Sequence, residues 1–242
     1  MFVLAFKYWP KVKIRGVVFD AYRTLFNVYS IGKLAEDIFQ GSGGAISTLW
    51  RDKQIEYSRL VSLSDPGSDG SQHYQSFWEL TEAALIYTLE RLGLKHSTEH
   101  IDQLMGQYAR LDAFPEGKGV LQTLQDAGIP RAILSNGSPE MLKSAADSAG
   151  MSTLLDQLIS IDSIRQFKTH PKAYGLASEV FGIPRQEILF VSSNAWDVLG
   201  ATWYGFVTCW INRANLPFEK IGPRPSFVAS DLKQVLNIVE LA

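Results

Sequence analysis

Residues 16–26 read GVVFDAYRTLF. Gly-Val-Val-Phe is a short apolar run without polar alternation, the pattern of a strand covered on both faces. It ends in one carboxylate, Asp20, where the chain turns. Tyr22 and Thr24 follow within the turn. Runs of the same kind occupy residues 132–134, 158–161, 188–191 and 207–211. Helical stretches separate the later ones. SPEMLKSAADSAG offers Ser138 as an N-cap, Pro139 in the first turn and Gly150 as a stop. PKAYGLASEVFG opens on Pro171 and stops at Gly182, and SDLKQVLNIVELA reads as a closing helix. Strand alternating with helix predicts an α/β fold with a doubly wound parallel sheet.

The interval between the first two strands breaks this alternation. AISTLWRDKQIEYSRLV and YQSFWELTEAALIYTLERLGL carry apolar residues at helical spacing, and the SLSDPGSDGSQ between them has loop composition. The expected organisation is a sheet core at 13–30 and 113–242, a helical cap inserted at 31–112, and an N-terminal extension at 1–12.

With 242 residues, 46% of them hydrophobic, the chain is large enough to bury a substantial core. A formal net charge of -2 gives no electrostatic case for nucleic acid or an anionic membrane. The opening MFVLAFKYWP is too short for a membrane span. Cys209 is the single cysteine, which removes any intrachain disulfide and fits a reducing cytoplasm.

In open parallel sheets, ligands bind beyond the carboxyl ends of the strands. Asp20 ends the first strand. Ser135 and Asn136 end the second, Lys168 follows the third, and Ser192, Ser193, Asn194 and Asp197 follow the fourth. Each has a plainer reading alone. Asp20 suits a turn, Ser135 and Asn136 a helix cap, Lys168 a solvated surface, and Asp197 the positive end of a helix. Tyr22 and Trp196 suit a core. His73, His96, His100 and His170 lack metal or catalytic spacing, and Cys209 reads as buried and inert. Capping alone does not explain polar clusters after several parallel strands at once.

These segments resemble the motifs of the haloacid dehalogenase (HAD) superfamily, and of its L-2-haloacid dehalogenase branch in particular. VVFDAYRTLF resembles the nucleophile motif, AILSNGSPEML the second motif, FKTHPKAY the lysine motif and FVSSNAWDVLGA the last. LWRDKQIEY resembles the arginine-bearing cap helix. The resemblance implies a Rossmann-like HAD core under a helical cap, a homodimer, and no cofactor. It also separates two chemistries. Phosphatases of the superfamily carry an acid where Tyr22 stands and a further magnesium-binding acid where Ser193 stands. Mg²⁺ prefers carboxylate oxygens, whereas halide departs as a stable anion and needs no general acid.

The implied reaction is two-step covalent catalysis on a 2-haloalkanoic acid, without metal. Asp20 attacks C2 with inversion, and water then cleaves the aspartyl ester. The resemblance makes Lys168 the partner of the Asp20 carboxylate. Asp197 and Asn194 then handle the water, while Thr24 and Ser192 support the nucleophile. Ser135 and Lys168 hold the substrate carboxylate. Arg51, Asn136 and Trp196 receive the halide; Tyr22, Ile55 and Phe77 form apolar walls; and Tyr174 hydrogen-bonds within the site. Three features depart from the family pattern. Arg23 stands for a usual glycine and Asp52 for a usual glutamine, and the polar cap loop is longer. A phosphatase of the same superfamily, and a binding module without turnover, are the competing readings.

Overall fold

The computed structural model describes residues 13–64 and 70–240. The 1–12 extension and residues 65–69 of the expected SLSDPGSDGSQ loop lie outside the described residues, and the first three residues of that stretch are helical, continuing the preceding helix to Ser64. Six strands form one sheet: β1 (Gly16–Phe19), β2 (Arg131–Ser135), β3 (Gln157–Ser160), β4 (Ile188–Ser192), β5 (Val207–Ile211) and β6 (Phe227–Ala229). Their order is β3-β2-β1-β4-β5-β6, and every pairing is parallel. The order reverses between β1 and β4, which opens a crevice at their carboxyl ends. Val17, Val18 and Phe19 are fully buried, as the unbroken apolar run requires.

The bounds of β2, β3 and β4 shift by a residue from the sequence reading, and one strand is added. Ile161 begins a short 3-10 turn instead of ending β3, because Ser160 Oγ accepts from the Asp162 amide and turns the chain. The sixth strand has no signal in the sequence. It is three residues long, lies at the sheet edge, and leaves Val228 exposed.

Four helices fall between β1 and β2 before the chain rejoins the sheet layer: α1 (Ile31–Ile38), α2 (Gly43–Ser64), α3 (Phe77–Arg91) and α4 (Thr98–Tyr108). Their buried apolar residues join those of the sheet in one continuous cluster. Ser76 and Glu79 form a reciprocal capping box that starts α3. The face that α2 buries is mixed: Ile46, Trp50 and Ile55 share it with Arg51, Gln54 and Ser58. Burying polar groups at core-facing positions is costly unless each finds a partner, so this helix face points to a site.

The remaining helices are α5 (Gly117–Asp126), α6 (Pro139–Ser148), α7 (Pro171–Phe181), α8 (Ala195–Tyr204) and α9 (Gln234–Ile238). Ser138 Oγ accepts from the Met141 amide to cap α6, with Pro139 in its first turn. Gly182, at φ +60°, ends α7. The closing helix is shorter than its sequence suggests. Asp231 accepts from the Lys233 amide in a turn, so helix starts only at Gln234. Among the described residues, no helix is long and apolar enough to cross a membrane.

Candidate active site

Asp20 sits one residue beyond β1, and its amide donates to the Val191 carbonyl of β4. That bond sets its carboxylate level with Ser192 across the switch point. The two oxygens of Asp20 have different company. Oδ1 accepts from Lys168 Nζ at 3.1 Å. Oδ2 accepts from three neutral donors: Asn194 Nδ2 at 2.8 Å, Thr24 Oγ1 at 3.1 Å and Ser192 Oγ at 3.4 Å. Asn194 also donates to the Tyr22 carbonyl, and Thr24 Oγ1 accepts from the Ser193 amide. These bonds tie the turn after β1 to the turn after β4.

Lys168 is 1% exposed and is not a surface lysine. Its ammonium bridges Asp20 and Asp197, with Asp197 Oδ2 at 2.9 Å. Burial works against that ammonium, but the two carboxylates outweigh it and raise its pKa. Asp197 is wholly buried in the first turn of α8. Burial lifts its carboxyl to about 6, against the pull of Lys168. Two acids around one ammonium leave a single negative charge in excess. Such a cluster is stable only when each charge is paired and hydrogen-bonded. The second oxygen of Asp197 accepts from the Tyr174 hydroxyl at 2.9 Å. Burial, with Asp197 beside it, pushes that phenol's pKa up, so it stays a donor. Gly200 makes this approach possible: a methyl group there would overlap the Tyr174 hydroxyl and Thr169.

The second strand end contributes differently from a helix cap. Ser135 Oγ accepts from the Gly137 amide, and Asn136 Oδ1 accepts from the Lys168 amide at 2.9 Å. Asn136 therefore fixes the backbone of the lysine segment, while Ser138 does the capping.

The inserted helices close the site. Tyr22 packs against Phe77 and Tyr108, with ring centroids 5.8 and 5.5 Å away. Arg51 is buried, and its guanidinium donates to Gln54 Oε1 at 2.6 Å. Gln54 donates in turn to Thr81 Oγ1 and to the Tyr108 hydroxyl. Asp52, which could have engaged Arg51, lies exposed on the other face of α2. Ile55 is buried on α2, and Trp196 is half-buried at the start of α8.

Among the described residues, no acid forms an ion pair with Arg23. Its guanidinium lies over the Tyr29 ring, 5.6 Å from the centroid, and its backbone is left-handed at φ +73°. The sequence reading missed Arg213, which follows β5. It donates to Ser193 Oγ at 2.7 Å, to the Arg23 and Thr24 carbonyls, and to Glu116 at 2.8 Å. The chain carries Arg213 at a fifth strand end, and that placement was its one signal. A cleft of about 470 Å³ beside it is lined by Arg23, Tyr29, Ser193, Trp196, Trp210 and Arg213 among others. The three charged groups at the centre do not line this cleft.

Among the described residues, no group of three or more His, Cys, Asp or Glu could hold a metal ion. The space between Asp20 and Asp197 is taken by an ammonium.

A buried carboxylate at the switch point, an ammonium bridge to a second acid, and an inserted helical layer define a hydrolase built on the HAD fold. A family model for haloacid dehalogenase-like hydrolases matches residues 14–205, and the chain belongs to that family, within its L-2-haloacid dehalogenase branch. It is 40% identical to the (S)-2-haloacid dehalogenase of Pseudomonas sp. (strain YL) over 229 residues, 95% of this chain and 96% of that one. It is 40% identical to haloacetate dehalogenase H-2 of Moraxella sp. (strain B), covering 94% and 98%. The structure of L-2-haloacid dehalogenase RSc1362 superposes with a TM-score of 0.91 at 49% identity, covering 94% and 99%. That of the Xanthobacter autotrophicus L-2-haloacid dehalogenase, with chloropropionic acid covalently bound, superposes with a TM-score of 0.85 at 36% identity, covering 94% and 98%.

Proposed function

We propose that this chain hydrolyses L-2-haloacids to D-2-hydroxyacids through an ester on Asp20, without a metal. The observation that carries this reading is the unequal bonding of the Asp20 oxygens. Oδ1, with Lys168 as its one partner, is the attacking atom. It forms a bond to C2 as the carbon–halogen bond breaks, and the halide leaves with the electron pair from the opposite face. Oδ2 becomes the carbonyl oxygen of the ester. Thr24, Ser192 and Asn194 then surround it as three donors, ready for the charge that develops when water adds to the carboxyl carbon.

Asp197 takes the proton from that water. Lys168 stands between Asp197 and Oδ1, so a proton passes through it to the departing alkoxide as the carbon–Oδ1 bond breaks. The product hydroxyl oxygen comes from Asp20, and the water oxygen stays in the enzyme. Arg51, Asn136 and Trp196 receive the halide, Ser135 and Lys168 hold the substrate carboxylate, and Tyr22, Ile55 and Phe77 line an apolar wall. The inserted helices serve as a cap. The working form is a homodimer, a reading that rests on the family resemblance, in the reducing cytoplasm that a single cysteine fits.

The test is halide release from L- and D-2-chloropropionate with and without chelator, followed by a single turnover in ¹⁸O-labelled water with enzyme in excess. The reading requires release from the L form alone, unaffected by chelator, and label in the peptide that contains Asp20. Label in the product instead would mean that water attacks C2 directly.

A further inference from the structure

Arg59 lies two turns beyond Arg51 on α2, at the seam between the inserted helices and the sheet. Its guanidinium sits over the ring of Trp196, 5.2 Å from the centroid. Trp196 immediately precedes Asp197. Three residues further along α2, Ser62 accepts from the Phe167 amide at 2.9 Å, so this end of the helix rests on the segment that delivers Lys168. Arg59 is exposed, yet its charge reaches inward and opposes the rise in the Tyr174 pKa. Among the described residues, no acid lies within ion-pair distance of it.

Of the other cations near the centre, two are already paired with acids and the third is buried within the site. Lys168 is bridged by two carboxylates, Arg51 is buried on Gln54, and Arg213 is held by Glu116 and three oxygens. The acids and the ammonium at the centre carry net negative charge, which repels an incoming anion. A cation outside that centre therefore helps the substrate carboxylate to approach before it reaches Lys168.

We infer that Arg59 is the entrance residue of the site, capturing the carboxylate of an anionic substrate at the seam before it passes Trp196. This rests on the proposed function, because that reading makes the substrate an anion. Capture acts on association, so it changes kcat/KM and leaves the bound complex alone. A residue that merely propped the seam would alter kcat and would not order its variants by charge.

The experiment compares Arg59→Lys, Arg59→Gln and Arg59→Glu with the unaltered chain on L-2-chloropropionate. Lysine should keep kcat/KM within about threefold, glutamine should lower it roughly tenfold and glutamate about a hundredfold, in line with electrostatic steering. The kcat should hold within about twofold throughout. Equal effects of glutamine and glutamate, or a kcat that falls in step, would overturn the inference. Calorimetric titration of 2-chloropropionate separates it from the proposed reaction. If no halide is released but the affinity follows the charge at residue 59, the reaction fails and the capture role stands. Affinity that ignores that charge, or no binding at all, removes the capture role.

Discussion

The Tyr174 hydroxyl donates to Asp197 Oδ1 at 2.9 Å, while Lys168 holds the other oxygen of the same carboxylate. Burial raises Asp197 to about 6, with Lys168 and Tyr174 opposing the rise and Asp20 adding to it. As the base for water, Asp197 must be ionised. The kcat profile should therefore fall as pH drops through about 6 or slightly below, since ester formation removes the charge of Asp20. Tyr174→Phe deletes a bond that lowers the pKa and should move this limb upward. A pH–rate series on both enzymes checks it. Stability carries the sign of a raised acid: the contribution of Asp197 is full below 3.8 and is lost as pH rises through about 6.

Thr24, Ser192 and Asn194 all donate to Asp20 Oδ2. If they serve the second step, Asn194→Ala should slow ester hydrolysis by about a hundredfold, the usual loss for one such donor. Ester formation should suffer far less. Intact-mass measurement after substrate addition should then show the enzyme carrying the substrate, less its halide, as a 1-carboxyalkyl ester. An unmodified mass with equally slow halide release would place Asn194 in the first step.

Lys168→Met leaves two buried carboxylates facing one another. Loss of one partner from a buried ion cluster costs about 3–5 kcal/mol. Activity should drop at least about a thousandfold, since both the charge beside Oδ1 and the path for the proton disappear. Urea unfolding and halide release together check the two effects.

Arg213 holds the turn after β1 by the Arg23 and Thr24 carbonyls and the turn after β4 by Ser193. Arg213→Lys keeps charge but loses the fork that reaches several acceptors at once. The expected result is a kcat about tenfold lower with KM little changed, because Thr24 is displaced relative to Asp20. A change in KM alone would remove Arg213 from the positioning of the nucleophile.

Arg23 adopts φ +73°. Holding a side-chain-bearing residue there costs about 1–2 kcal/mol, against about 0.5–1 kcal/mol of extra chain entropy lost by glycine. Arg23→Gly should stabilise the fold by about 0.5–1 kcal/mol, measured by urea unfolding. Net destabilisation would mean that the Tyr29 contact outweighs the backbone strain.

Five strands and the helical insertion were legible because their signals are local: unbroken apolar runs, caps such as Ser138, and stops such as Gly182. Strand β6 was not, because a three-residue edge strand has neither length nor burial to mark it. The charged centre was legible only jointly, since Lys168 alone has the pattern of a surface residue and its burial depends on two acids far along the chain. Gln54 was invisible for the same reason, and Arg213 offered only its place after a strand end. Their importance lies in what they touch, which the sequence beside them does not record.

Gln54, Thr81 and Tyr108, the residues that orient Arg51, all come from the inserted helices, whereas every side chain on Asp20 comes from the sheet layer. Exchanging the insertion between relatives would transplant a guanidinium complete with its own bracket and leave the side chains that bond to the nucleophile in place. The setting of Arg51 and that of Asp20 are thereby written largely on separable pieces of chain, and chimeras offer a direct route to varying the first while keeping the second.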